Sequence, residues 1–323
     1  METDGIVIPT VSGNAFEAEW TAPRTIAASA LVDAAPLPPS VNYHLWAPCN
    51  MRCRFCFAPF QDVVAEVVPK GHLPRETSVQ LTSVLASRFA KVSFAGGEPT
   101  LCPWLPELVR TAKERGATTM LVTNGSRLEQ VIDDLKGTLD WVAISIDSAS
   151  ESTLVQLGRA VKGRIPIPRE RYLQLAELVR SAGIRLKINS VVTSLNAAED
   201  MSPFIRALGP ERWKVLRVLP VEGQNDGRVE PLLCSDDEFA GFVARHRGLE
   251  AHGIAVVPED NEDMRGSYAM VDPAGRFFDN ASGGHSYSPP ILQAGIEEAW
   301  SQVTFSMERF LDRGGDYDFG GAA

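Results

Sequence analysis

Three of the five cysteines of this chain fall within eight residues, in Cys49-Asn50-Met51-Arg52-Cys53-Arg54-Phe55-Cys56. The Cys-x3-Cys-x2-Cys spacing places three thiolates on one short loop, directly after an apolar run, Val41–Trp46, that reads as a strand. Three thiolates so arranged can wrap one corner of an iron–sulfur cubane. Four irons with three protein ligands leave one iron open to a small molecule. A structural zinc ion would want a fourth donor, and His44, across a strand end from Cys49, offers an awkward geometry. Buried cysteines that merely pack have no reason to cluster at this spacing. Cys102 and Cys234 stand alone and read as small buried hydrophobes. A second signal is Gly96-Gly97-Glu98-Pro99, which closes the strand Lys91–Ala95. Two glycines let backbone approach a ligand, and Glu98 offers an anion to an ammonium. Alone, this tetrapeptide is an ordinary turn.

Strand parity supplies a third set of residues. In Arg185–Val192, Leu186 and Ile188 share one face while Lys187 and Asn189 share the other. In a barrel the apolar set meets the surrounding helices, so Lys187 and Asn189 point inward. The same alternation groups Lys91 with Ser93 and Ala95, sets Ser145 and Asp147 against Ile144 and Ile146, and places Lys214 with Leu216 opposite Trp213 and Val215. A lysine inside a barrel is costly unless an anion pairs with it, and a triphosphate is an anion that several converging cations suit. Each lysine taken singly also reads as a solvated or snorkelling side chain.

The elements that must position these groups alternate along the chain. Strands are expected at Val41–Trp46, Lys91–Ala95, Thr119–Thr123, Trp141–Ile146, Arg185–Val192, Trp213–Leu219 and Ile254–Val257. Helices fall between them: Pro103–Arg115 stopping at Gly116, Arg169–Ala182 stopping at Gly183, and one that Ser235 caps and Gly248 ends. This alternation implies an α/β fold with a parallel sheet, a full or partial (β/α) barrel, with a doubly wound open sheet as the rival. Residues 259–323 break the rhythm. They read as a hairpin, Tyr268–Val271 with Arg276–Phe278, followed by one last helix over Gly295–Leu311. Three parts follow: an arm over 1–40 ending in a Pro-rich stretch, a barrel over 41–258, and an extension over 259–323 that covers the barrel.

Composition bounds the rest. The 323 residues carry 44% hydrophobic and 22% charged residues, which is globular. Lys+Arg 31 against Asp+Glu 41 gives −10, which argues against non-specific nucleic-acid binding. The odd cysteine count does not read as a disulfide framework, so a reducing, cytoplasmic setting is expected. No apolar run approaches a membrane span, and the acidic N-terminal segment resembles neither a secretory signal nor a membrane-surface helix. Nothing in the mixed, acidic surface asks for a second copy, so a monomer is expected.

The cysteine loop resembles that of the radical S-adenosylmethionine enzymes, and Gly96–Pro99 resembles their GGEP signature. The likeness narrows to the viperins. Val41-Asn42-Tyr43-His44, Cys56-Phe57, Lys187-Ile188-Asn189-Ser190-Val191, Glu199-Asp200-Met201, Arg212-Trp213-Lys214-Val215, Ser267-Tyr268 and Arg313-Gly314-Gly315 follow that family's order over most of the chain. The resemblance implies a partial (β/α)6 barrel, a 4Fe–4S cluster, S-adenosylmethionine, an electron donor, and conversion of a nucleoside triphosphate to its 3′-deoxy-3′,4′-didehydro analogue in antiviral defence. It implies that Cys49, Cys53 and Cys56 ligate the cluster. Gly96, Gly97, Glu98, Asn124 and Ser145 then line the S-adenosylmethionine site. Lys91, Arg159, Lys187, Lys214 and Arg313 hold the triphosphate. Asn189 orients the ribose or the cosubstrate, and Tyr268 stands near the ribose as a late hydrogen donor; an aromatic packed under the hairpin reads equally well for Tyr268.

Two stretches depart from the animal family members. Ser282–Pro290 lacks their lysines, and Val191–Asn196 lacks their basic and aromatic residues, so the base preference stays open. Two other readings also stay open: the same radical initiation applied to a different small substrate, and a non-catalytic iron–sulfur or nucleotide-binding module.

Overall fold

The computed structural model describes residues 36–320, so the arm read from the sequence lies outside the described residues up to position 35. Ten strands form one sheet: β1 (Ser40–Trp46), β2 (Lys91–Gly96), β3 (Thr118–Thr123), β4 (Trp141–Ser145), β5 (Arg185–Val192), β6 (Arg212–Arg217), β7 (Ala255–Glu259), β8 (Met270–Val271), β9 (Arg276–Asp279) and β10 (Ser286–Pro290). Their order is β10-β9-β8-β1-β2-β3-β4-β5-β6-β7. From β8 through β7 every pairing is parallel, and β9 and β10 are antiparallel. The sheet is a partial barrel whose β7 and β10 edges do not pair.

The strands have two different faces. Val92, Phe94, Leu121, Val142, Ile144, Leu186, Ile188, Trp213 and Val215 are buried in the main apolar core under the helices. Their alternates look inward and mix small or polar residues, among them Ser93, Ala143, Lys187 and Lys214, with the apolar Met120 and Trp141. A parallel sheet needs both faces covered, and here the inner cover includes charge. The expected caps are present. Ser235 accepts from Glu238 N while Glu238 accepts from Ser235 N at 2.8 Å, closing a capping box on the helix Asp236–His246.

The extension departs from its expected form. The hairpin around Asp272–Gly275 is there, but β8 also pairs with β1, and a third strand, β10, follows. The single last helix expected over Gly295–Leu311 is instead two short ones, Ile296–Ser301 and Met307–Asp312, with a further short helix, Ile291–Ala294, before them. The break has a tertiary cause: Thr304 N donates to Asp279 at 2.9 Å and Ser306 N to Gly266 O at 2.7 Å. These bonds take the backbone out of the helical ladder until Ser306 caps the next helix. The final residues then cross the barrel floor. Trp141 Nε1 donates to Phe319 O at 2.8 Å and Arg212 Nη2 to Gly314 O at 2.7 Å. Lys91, Trp141, Arg185 and Arg212 begin their strands, so the tail seals the N-terminal mouth, opposite the cysteine loop.

That loop is clamped by backbone that tolerates no side chain. Gly97 N donates to Trp46 O at 2.5 Å and Glu98 N to Pro48 O at 3.0 Å; Arg52 N donates to Gly158 O at 3.1 Å. A Cβ on Gly97 would overlap the Ala47 carbonyl, and one on Gly158 the Arg52 carbonyl. Gly241, in a helix with open space around it, is the contrast. Gly97→Ala and Gly158→Ala should each lower stability by roughly 1–3 kcal/mol through overpacking, whereas Gly241→Ala should be neutral or stabilising by up to about 1 kcal/mol. Urea midpoints at constant m-value check this ordering; equal midpoints for all three would refute the clamp.

Candidate active site

One cavity of about 480 Å³ runs from the cysteine loop into the barrel. Cys49, Cys53 and Cys56 line it, as do Gly96, Gly97, Asn124, Ser145, Lys187, Asn189, Lys214 and Tyr268. The three thiols are half-buried and unpaired by disulfides. Arg159 lies beside them, with its guanidinium 5.4 Å from the Phe55 ring and its Nε donating to Asp147 at 2.6 Å. Burial pushes the Cys53 thiol up to about 12, against the pull of that guanidinium. Arg159 therefore lines the same cavity as Lys187 and Lys214, at its cysteine end.

Glu98 departs from expectation. It is fully buried and does not line the cavity. Its carboxylate accepts from Thr100 N at 3.1 Å, Thr100 Oγ1 at 2.5 Å, Thr123 Oγ1 at 2.7 Å and Asn124 N at 2.8 Å. The acid that was to meet an ammonium is spent on tying β2 to β3. The glycines, likewise, admit the cysteine loop's own backbone. Asn124 keeps its wall position: its Nδ2 donates to Asn50 Oδ1 at 2.9 Å and its Oδ1 accepts from Ser126 N at 2.9 Å. His44 completes no metal site. It packs edge-on against Phe57, Phe60 and Phe278, and burial lowers it to about 3. Among the described residues no His, Cys, Asp and Glu group of three converges on a single ion.

Deeper in the barrel, Lys91, Lys187, Lys214 and Arg313 are buried with Arg212 beside them, and Glu259 is the buried carboxylate that answers them. Lys214 and Arg313 both pair with Glu259, Arg313 at 3.3 Å. Tyr268 donates to Glu259 and accepts from Lys214 at 3.0 Å, with the Arg313 guanidinium 3.6 Å from its ring centre. Arg313 also donates to Ser267 O at 2.8 Å and does not line the cavity; Lys91 is covered by Tyr317 at 2.9 Å and the Phe319 ring at 3.9 Å. Both were expected to hold phosphate directly, and both instead sit behind the wall. Lys187 reaches the cavity, and its side chain makes no hydrogen bond or ion pair among the described residues. Asn189 Oδ1 is buried without a partner. Sequence reasoning missed two members. Arg212 has the parity of Lys214 two residues on, and its Nε is buried unpaired. Glu259 lies just past the expected end of its strand, so its parity went unread.

Burial, reinforced by neighbouring cations, depresses Lys91 and Lys187 well below the usual lysine range, and burial brings Lys214 to about 8. The folded chain thus holds fewer protons than the unfolded one, and stability rises as pH climbs from the depressed values toward the ordinary lysine value. A bound polyanion restores those protons. Triphosphate binding near pH 8 should therefore take up protons, read as a buffer-dependent calorimetric enthalpy, and Lys187→Met should diminish the uptake; release of protons would contradict the electrostatics.

The radical SAM superfamily model matches residues 46–206. An S-adenosylmethionine-dependent nucleotide dehydratase of Lacinutrix mariniflava is 49% identical over 283 residues, covering 87% of this chain and 59% of that one. One of Flammeovirga pacifica is 46% identical over 291 residues, covering 90% of this chain and 99% of that one. The chain belongs to the S-adenosylmethionine-dependent nucleotide dehydratases. It spans 59% of the first relative's length and nearly all of the second's. The fold is also that of Streptococcus suis SuiB bound to S-adenosylmethionine, with TM-score 0.59 and 16% identity over 75% of this chain and 60% of that one. As a radical SAM dehydratase by family, it uses a 4Fe–4S cluster and S-adenosylmethionine. The residues fit them: three thiols line the upper cavity, Asn189 Oδ1 is buried without a partner, and Lys187 lines the cavity below. Among the described residues no helix is long and apolar enough to cross a membrane.

Proposed function

We propose that this chain dehydrates a ribonucleoside triphosphate to its 3′-deoxy-3′,4′-didehydro analogue. The observation that carries the reading is the company Lys187 keeps: a buried lysine whose side chain has no partner among the described residues, lining, with Lys214 on the adjacent strand, the cavity that the three cysteines roof. Cys49, Cys53 and Cys56 hold the cluster, while Asn124 and Ser145 shape the S-adenosylmethionine wall. When bound, these groups supply a carbon radical that removes the hydrogen atom from C4′ of the ribose. Loss of the 3′-hydroxyl as water then consumes one proton and one further electron.

The chain's own residues bind, orient and handle the proton. Lys187 and Lys214 neutralise phosphate charge, with Arg212 adding the field of its charge from the floor, and Asn189 directs its free carbonyl oxygen at a ribose hydroxyl or the cosubstrate. Lys91 and Arg313 act from behind, Lys91 through the field of its charge and Arg313 by fixing Glu259 and Tyr268. Burial keeps the Tyr268 phenol protonated far above its usual range, and Lys214 and Glu259 fix its hydroxyl. Tyr268 is thus the proton or hydrogen donor at the ribose end. The tail across the floor and the loop above exclude water, as radical chemistry requires. A product without a 3′-hydroxyl cannot be extended by a polymerase, which suits antiviral defence. Five free thiols suit the cytoplasm, and a site complete within one chain suits a monomer supplied by a separate electron donor.

With dithionite and S-adenosylmethionine, the reconstituted protein should form 5′-deoxyadenosine faster when one of CTP, UTP, GTP or ATP is added, with a product lighter by one water. No acceleration by any of the four assigns the radical chemistry to another substrate. Glu259→Gln should lower kcat by about tenfold or more, as expected when a positioned proton donor is lost. The nucleotide KM should stay level or fall, because a negative charge is gone. A rise in KM with unchanged kcat would remove Glu259 from the proton path.

A further inference from the structure

The outer side of the cysteine loop carries charge that the cavity does not explain. In an acidic chain, segments 50–54 and 157–171 hold a run of cations with Glu170 as their single acid. Arg159 and Arg171 are committed to Asp147 and Glu129. Lys162, Arg164 and Arg169 are exposed and Arg54 is half-buried, while Arg52, also exposed, stands at the rim and lines the cavity as well. Lys162, Arg164 and Arg169 make no ion pair among the described residues. The two segments are one surface. Lys162 N donates to Asn50 O at 2.8 Å, Arg54 N to Leu157 O at 2.9 Å, and Met51 bridges to Val161. Arg52 Nη1 donates to the Cys49 carbonyl at 2.6 Å, so an exposed guanidinium lies on the backbone of a cluster ligand. Within this basic rim, Ile165 stands 62% exposed beside a groove of about 150 Å³ walled by Val161, Pro166 and Ile167. An apolar centre in a charged rim is the anatomy of a transient protein interface.

We propose that this face docks an acidic one-electron carrier protein. The inference rests on the cluster assignment above and not on the nucleotide. The cavity occupies the inner face of the cysteine loop, so a protein donor reaches the ligands from the outer face, where the basic surface lies. Electron transfer weakens steeply with distance, which favours docking on the ligand loop itself. One electron leaves the carrier's reduced prosthetic group, which is oxidised by one unit, and enters the cluster, which is reduced by one. No bond is made or broken. Charge complementarity selects an acidic partner and steers its approach.

The test follows cluster reduction by stopped-flow absorbance, in reconstituted protein without nucleotide, using a reduced, acidic FMN carrier of the flavodoxin type. Failure of the nucleotide reading leaves this measurement intact. The parent rate should fall with added salt. Arg164→Glu with Arg169→Glu should slow carrier-driven reduction by about tenfold or more and leave dithionite-driven reduction unchanged. Arg110→Glu with Arg115→Glu, the same charge change on an outer helix, should stay within about twofold of the parent. Should the first pair fail to hold a cluster, Ile165→Asp gives the same comparison, and slower carrier-driven reduction is expected. An unchanged carrier rate in these variants, or equal slowing in the outer-helix pair, overturns the proposal. So does RNA or anionic-vesicle binding that the first pair abolishes while carrier reduction persists.

Discussion

Buried positive charge without a matching anion is the constraint on which the site depends. Lys91, Lys187, Lys214, Arg212 and Arg313 gather in the barrel around the buried Glu259 carboxylate. Burying a charge is costly unless it is paired. Glu259 offsets part of that cost and arranges Tyr268 in doing so. The rest stays as an electrostatic demand that burial expresses as lowered lysine affinities for protons. A polyanion that enters the cavity relieves it, and the stability given up in the empty barrel returns as binding.

The demand is useful only if the ligand meets the reactive end of the cavity in one orientation. Two devices enforce that. The side-chain-free contacts at Gly97 and Gly158 fix the cysteine loop between β2 and the turn before residue 160. The tail holds the other end shut, with Tyr317 and Phe319 stacked against Lys91 and the Phe319 carbonyl bonded to Trp141. Roof and floor come from segments far apart in sequence, so the cavity's length is a tertiary property that neither encodes alone.

What was legible in the sequence was periodic or local. Alternation within β5 and β6 assigned Lys187, Asn189 and Lys214 to the inner face, and cysteine spacing marked the loop, because both signals survive without tertiary knowledge. Partners brought by distant segments were illegible. Glu98 reads as a free acid until Thr100, Thr123 and Asn124 close around it. Arg159 reads as a lone cation until Asp147 is seen to pair with it. Lys91 and Arg313 are inward as expected, but only the tail and Glu259 show that they stand behind the wall. The broken terminal helix has the same origin, since Asp279 and Gly266 draw on backbone groups that local propensity alone would leave in the helix.

On the proposed function, phosphate charge, more than the nucleoside, is what this barrel recognises. Calorimetric titration of the protein with a nucleoside triphosphate and with the corresponding nucleoside tests it most directly. The triphosphate should bind more tightly by about 100-fold or more, as two or more charge-assisted contacts would give, and most of that margin should vanish in Lys187→Met. Equal affinities for the two ligands, or a margin indifferent to Lys187, would contradict it.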